Sequence, residues 1–495
     1  MRLLRILAAA SLFAASTTGA QTNRLISKPM TLEECLTQAL EHNLEVRIDR
    51  VNPDINRYNL NVANAGYDPN LFFQAGRSDR TSPGGIIPGT PLTFPASTTK
   101  ADSFSAGIGG SLPTDSGMTY SLSGDAEQSE GSNFPRTTEG RVALSLTQPL
   151  LRNLWIDPIR YTIALSRNQL DSSEWGVHFR IMDIITRVET AYYDLIAARE
   201  NVKVQEGALE LAEQLLAENR KRVEVGALAP LDEKQAESQV AASRADLLSA
   251  RNVVSIQQNV LKGLLSDDFS RWQHVMLEPS EPLVAVPESF DVQASWKNGI
   301  TLRPDLEQAR LAVDRLGITL KYQKNQLFPQ LDLVGTFGRL GRSTEYSGFF
   351  GDIENSRGPF YSIRAEFSVP LGRREARNTY RAVRAQEEQA VLQLKQLEQG
   401  IMLQIDNAVK LAETDLQRVE ATRERRLYAE QALDAERKKL ENGKSTSFFV
   451  LQFQRDLTEA RSAEIQALAD YNKALSELAF SEGTTLQRHR MRLVK

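Results

Sequence analysis

The residues able to do chemistry are few and scattered along this chain. Four histidines, His42, His178, His274 and His489, lie far apart in the sequence. Each reads as a surface or locally hydrogen-bonded group rather than a metal ligand. Cys35 is the single cysteine, which excludes an internal disulfide framework and leaves no thiolate cluster for zinc. Gly335-Thr-Phe-Gly-Arg-Leu-Gly341 has the glycine spacing of a phosphate loop. It lies on an alternating segment with no helix expected after it, so it reads as a strand bending into a loop. There is no Gly-x-Ser-x-Gly elbow, paired-histidine motif or Walker loop. No enzyme, metal or cofactor is expected. A net charge of −4 leaves no basic surplus for binding nucleic acid.

The informative residues are instead the glycines that interrupt long helical patterns. Apolar residues recur every seven positions at Leu195, Val202, Leu209, Leu216 and Val223, and again at Val240, Leu247, Val254 and Leu261. That spacing predicts coiled-coil-like packing with left-handed winding. Gly226 breaks the pattern where one helix can end, and Pro230 suits the first turn of the next. The event recurs at Gly443, with Ser445 or Thr446 as the candidate N-cap. Two long helical hairpins are therefore expected. The helix from Arg160 to Gly226 would span roughly 100 Å at 1.5 Å per residue.

The start of the chain reads as an export signal, with Arg2 and Arg5, an apolar Ile6–Ala15 and a small-residue Thr18-Gly-Ala20. No later apolar run approaches the length of a membrane-spanning helix. Thr31 and Glu34 form the pattern of a capping box before a short amphipathic helix, and a second helix over 44–65 carries Pro53 as a kink. From Leu71 to Thr147 the pattern alternates by two. Phe104, Ala106, Ile108 and Leu112 fall on one face, and small or hydroxyl residues fall on the other. A small, polar second face suits a water-filled lumen. Asp267–Ala294, with three prolines, reads as an irregular connector, after which the programme repeats. Leu302-Arg-Pro-Asp-Leu-Glu307 echoes Asn43-Leu-Glu45, and Val369-Pro-Leu371 echoes Gln148-Pro-Leu150. The first half carries four strand-like segments and the second two, the surplus being either an extra hairpin that turns at Pro113–Gly117 or long loop decoration. Arg423-Glu-Arg-Arg426 reads as a solvated helix face.

In their order and twofold repetition these segments resemble the TolC family of outer-membrane efflux proteins. The resemblance rests on the 31–40 opening, Gln148-Pro-Leu-Leu-Arg152, both glycine-tipped hairpins and Ser445-Thr-Ser-Phe-Phe-Val-Leu-Gln452. It implies an α+β fold, predominantly long α-helical. Three protomers would share an α-helical barrel, two hairpins from each, continuous with one transmembrane β-barrel. The expected division is signal 1–20, helices 21–66, strands 67–148, first hairpin 149–266, equatorial connector 267–300, helices 301–328, strands 329–370, second hairpin 371–482 and tail 483–495. The place implied is the outer membrane of a Gram-negative bacterium, in contact with its lipid and with a long periplasmic extension. The implied partners are a periplasmic adaptor and an inner-membrane pump, for efflux or type I secretion. Docking would use the tips, Val225, Gly226, Ala227, Leu228 and Ala229 with Gly443, Lys444, Ser445 and Thr446. Val225 and Leu228 are expected to be exposed there. Some family members place acidic residues one turn apart beyond the second tip, at the narrowest point of the pore. Here Phe449 and Gln452 take those positions, so a neutral, apolar constriction is expected. The alternatives are an exported coiled-coil structural protein and a periplasmic adaptor. The duplication and the alternating strands argue against both.

Overall fold

The computed structural model describes residues 26–491 except 133 and 356. The expected export signal and the last four residues lie outside the described residues. Strand β1 (Ile26–Met30) leads to helices α1 (Leu32–His42) and α2 (Leu44–Asn64), a 3-10 turn and strand β2 (Asn70–Ser82). A small ribbon, β3 (Gly85–Ile86) and β4 (Thr93–Phe94), precedes the long strands β5 (Ser97–Ser111), β6 (Thr119–Gly131) and β7 (Phe134–Pro149). The first hairpin is α3 (Pro158–Glu224) with α4 (Pro230–Leu265). Next come α5 (Phe269–Trp272), β8 (Val275–Pro279), α6 (Val292–Leu302) and α7 (Pro304–Asn325). Strands β9 (Gln330–Ser343) and β10 (Pro359–Ser368) flank helix α8 (Tyr346–Glu354). The second hairpin, α9 (Arg374–Glu441) with α10 (Ser447–Glu482), is followed by α11 (Thr485–Arg488). The repeat is close in length: α3 and α9 hold 67 and 68 residues, and α4 and α10 hold 36 each.

The chain divides into two compact units. The first comprises the segment ending at Asn43, Arg187–Val286 and Asp415–Lys473. Its α1 begins with the expected capping box: Glu34 N donates to Thr31 Oγ1 at 3.2 Å and Thr31 N to the Glu34 carboxylate at 2.9 Å. The connector is more ordered than the sequence suggests. β8 pairs in parallel with β1, Ile26 against Val275 through Met30 against Pro279, and α6 begins inside the stretch expected to be irregular. Five-residue strands whose partners lie far apart in sequence carry no alternation long enough to read. Cys35 is buried in this unit, and burial, with Glu34 and Glu281 nearby, pushes its thiol up to about 12. It stays protonated and unreactive. The Arg423–Arg426 run is not simply solvated. Arg425 meets Glu459 at 2.8 Å, Arg426 pairs with Glu464, and Arg461 meets Glu430 at 2.8 Å, tying α9 to α10.

The second unit comprises Leu44–Thr186, Pro287–Thr414 and the segment from Ala474. Its helices bury Leu306, Ile401, Ile405 and Leu478 together, and Trp296 Nε1 donates to the Met402 carbonyl at 3.1 Å. The long strands form one antiparallel sheet of six, in the order β10-β9-β7-β6-β5-β2. The surplus hairpin, β5 and β6, turns where expected, with Gly117 at a φ of 65°. Register sorts the two faces row by row. Leu71, Ile108, Leu122, Leu144, Phe337 and Tyr361 align across all six strands. On the opposite face Asn70, Gly109, Ser121, Ser145, Thr336 and Ser362 align likewise. One face is therefore apolar and the other small and polar, the alternation of a barrel wall between lipid and water.

The row Phe72, Gly107, Ser123, Ala143, Gly338, Phe360 carries an aromatic on each edge strand. Each aromatic covers a glycine on the strand inside it. A Cβ on Gly107 would lie 2.6 Å from the Phe72 ring, and one on Gly338 would lie 2.6 Å from the Phe360 ring and 2.5 Å from the Val142 carbonyl. The Gly335–Gly341 segment is thus not a phosphate loop. It is paired strand, and contrary to expectation a helix does follow it. Nine-residue α8 is too short to show a helical period, and its buried Phe349 rests on Gly341. The C-terminal tail also holds structure: Gly483, at a φ of 77°, ends α10, and α11 buries Thr485. Gly338→Val should destabilise the sheet by about 1–3 kcal/mol through overpacking against a backbone carbonyl that cannot move aside. Urea titration of the heat-modifiable folded band on gels will read the loss.

Candidate functional site at the hairpin tips

Both tips close with the same backbone motif. Gly226, at a φ of 76°, donates to the Val223 carbonyl at 2.9 Å, and Ala227 donates to Arg222 at 2.7 Å. Gly443, at a φ of 70°, donates to Leu440 at 3.1 Å, and Lys444 donates to Lys439 at 2.8 Å. These paired bonds satisfy the last helical carbonyls, and the left-handed residue they need is the reason for glycine. Nothing lies within 4 Å of a Cβ built on either glycine, so a side chain there meets conformational strain and no clash. Pro230 occupies the first turn of α4, after an extended Ala229.

A polar side chain seven residues before each glycine braces the turn. Asn219, fully buried, donates through Nδ2 to the Asp232 carbonyl at 3.4 Å and accepts from Ser447 Oγ at 3.0 Å. One amide thus joins α3 to the first turns of α4 and α10. Its counterpart Glu436 accepts from Ser445 Oγ and from Lys439 Nζ, the latter at 2.9 Å. Those bonds, Ser445 first, hold the Glu436 carboxyl below the usual carboxylate range. Ser445 is therefore a brace, and of the two N-cap candidates it is Thr446 that directly precedes α10. Beneath the tips Leu215, Leu433, Leu440, Val450, Leu451 and Leu457 form a buried apolar cluster.

Val225 is 79% exposed, and Gly226, Ala227, Ala229, Gly443, Lys444 and Thr446 are exposed as well. Leu228 departs from expectation: it is half-buried, as is Ser445. The exposed apolar side chains that join Val225 are Leu231 and Phe448, each the second residue of its helix. Sequence reasoning missed both, although their matching offset from the helix starts was a usable signal. Phe449, 48% exposed, stands edge-on to Phe448 with ring centroids 5.7 Å apart. Gln452 is exposed on the same side of α10, while Val450 and Leu457 enter the buried cluster and Leu468 is half-buried. Phe449 and Gln452 stay outside the buried cluster that Val450 and Leu457 enter.

Residues 35–266 and 300–484 match the family model of the outer membrane efflux proteins. The chain belongs to that family. One similar protein is the outer membrane efflux protein BepC of Brucella suis biovar 1 (strain 1330), 23% identical over 339 residues, covering 67% of this chain and 70% of BepC. Among solved structures, the fold matches the CmeC outer membrane channel of Campylobacter jejuni with a TM-score of 0.67, at 15% identity, over 92% of this chain and 86% of that one. It also matches the outer membrane protein VceC of Vibrio cholerae with a TM-score of 0.66, at 17% identity, over 91% and 96%. This protein is an outer-membrane efflux channel of the TolC family, with a helical extension in the periplasm. Members of the family work with an adaptor and an inner-membrane pump.

Ser447→Ala leaves the buried Asn219 amide short of a partner and should cost about 1–3 kcal/mol. Amide exchange near residues 219 and 232 should quicken while the strands stay protected. Because the Glu436 carboxyl is held low, its contribution is present at neutral pH and disappears as pH falls through that lowered value. Glu436→Gln should abolish this acid-dependent loosening of residues 436–446 in the same exchange measurement.

Proposed function

We propose that three copies of this efflux channel form one exit duct whose hairpin tips dock on the periplasmic adaptor of an inner-membrane pump. The observation that carries this reading is the character of the tips. The hairpins carry interhelical ion pairs and expose apolar side chains along their length, Leu248, Leu403 and Leu411 among them, and at the turns themselves they expose Val225, Leu231, Phe448 and Phe449. Apolar side chains on a rigid, solvent-facing turn favour a protein partner. Val225–Ala229 and Gly443–Thr446 form the docking surface. The glycines keep its backbone close enough for the partner to meet it directly.

Phe449 and Gln452 set the resting constriction. They lie three residues apart on one exposed side of α10, so symmetry repeats them as an aromatic ring beside a neutral polar ring. An apolar constriction closes to ions by shedding water, with no fixed charge needed. The duct conducts poorly until the assembled pump complex spreads the helices.

Native mass spectrometry in detergent should give three chains per particle. Phe449→Ala should raise single-channel conductance in planar bilayers, and Phe449→Asp should add cation preference and divalent-ion block. Unchanged conductance in correctly assembled trimers of both variants would remove Phe449 from the constriction. Gly226→Trp with Gly443→Trp should abolish export in cells and leave the trimer intact, since a side chain disfavours the left-handed conformation by about 1–2 kcal/mol. Full export by that variant would overturn the docking role.

A further inference from the structure

We infer that each copy builds six strands into the outer-membrane barrel, and that the barrel closes by antiparallel pairing of β2 in one copy with β10 in a second copy. The surplus hairpin, β5 with β6, is then barrel wall and not decoration. This rests on the assembly proposed above: with three copies, the barrel has eighteen strands.

Four observations support it. First, the six strands run from 10 to 16 residues, enough for a tilted strand to cross a bilayer, which takes about 9–11. Second, the apolar row from Leu71 to Tyr361 crosses β5 and β6 without a polar break. A hairpin outside the membrane would have no reason to hold that row. Third, alternation of direction along the sheet leaves β2 and β10 pointing opposite ways, so repetition of the copy makes every junction antiparallel. Fourth, apolar side chains on the edges are the most exposed of the row: Leu71 81% and Tyr361 84%, against 45% for Leu122 and 40% for Leu144. The edges lack the neighbour that the inner strands have.

The occupant of each edge is a second copy and not the same chain. Closed barrels begin at about eight strands, where the interior just holds its own side chains. Six would leave no room for Phe72, Phe360 and the Asp125–Arg141 pair on the inner face. The chain also continues the same flank beyond β2. Directly before that strand, α2 exposes Leu44, Ile48, Val51, Ile55, Tyr58 and Val62 at the four-and-three spacing of a coiled-coil seam. At a strand spacing near 4.8 Å and a tilt near 40°, eighteen strands give a barrel about 35 Å across between backbones. Such a barrel is not the narrowest part of the duct.

The test uses the full chain in outer-membrane fractions, where buried Cys35 is left in place. Gln74→Cys on β2 is combined in turn with Ser362→Cys, Arg364→Cys or Glu366→Cys on β10 and treated with a short bis-maleimide. At one of these registers a ladder ending at three chains is expected. Gln74→Cys with Ser105→Cys, neighbours within one copy, should give only intrachain links. A bimane at Ile108→Cys or Leu122→Cys should be quenched at least twofold by brominated lipid. Intrachain β2–β10 links would overturn the inference. So would native trimers with no link at any register, or unquenched bimane on the surplus hairpin. A ladder ending at two or four chains would keep the β2–β10 pairing and overturn the trimer.

Discussion

A sheet that enters a bilayer cannot leave an edge unpaired, and the rest of this molecule depends on that constraint. Each backbone N–H or C=O without a partner in hydrocarbon costs several kcal/mol. In one copy β2 and β10 each present a whole row of such groups. No side chain can supply so many partners in lipid, which is why the inferred pairing places a second copy on each edge. The two-faced register follows from the same condition, because a wall between lipid and water must sort apolar from polar by single residues. The covered glycines, Gly107 under Phe72 and Gly338 under Phe360, hold each edge strand to its inner neighbour and leave its outer ladder open.

The hairpin tips meet the opposite requirement. A helix end in water has orphan carbonyls that water can satisfy, so nothing forces a glycine-closed turn there. The closed turns, identical in bond pattern at Gly226 and Gly443, fix the direction in which two long helices return. Beneath them the two repeats use different chemistry at the same offset. Asn219 is buried and links three helices, whereas Glu436 binds its own turn through Ser445 and Lys439. Duplication kept the geometry of the brace and let its partners diverge. What the tips present outward is mostly apolar, which suits the docking role proposed for them.

Much of this was legible in the sequence because the signals are periodic and long. Seven-residue spacing read the hairpins, glycine and proline marked their turns, and alternation gave four strands before the first hairpin and two before the second. The β1–β8 pair was not legible, because five residues carry too little pattern and their partners are remote. Short α8 was hidden for a related reason, within a glycine-rich stretch that resembles a loop. Arg425 and Arg426 looked like a solvated face because the acids that bind them lie on another helix. Half-buried Leu228 and buried Asn219 show the same limit at the tips: composition marks a turn, but only three dimensions show which side chains it covers.

Hydrogen–deuterium exchange of β2 and β10 in outer-membrane vesicles measures edge closure most directly. If second copies close the barrel, amides of 70–82 and 359–368 will be protected as strongly as those of the inner strands β6 and β7. Rapid exchange along either edge, with the inner strands protected, would contradict closure and leave the sheet open.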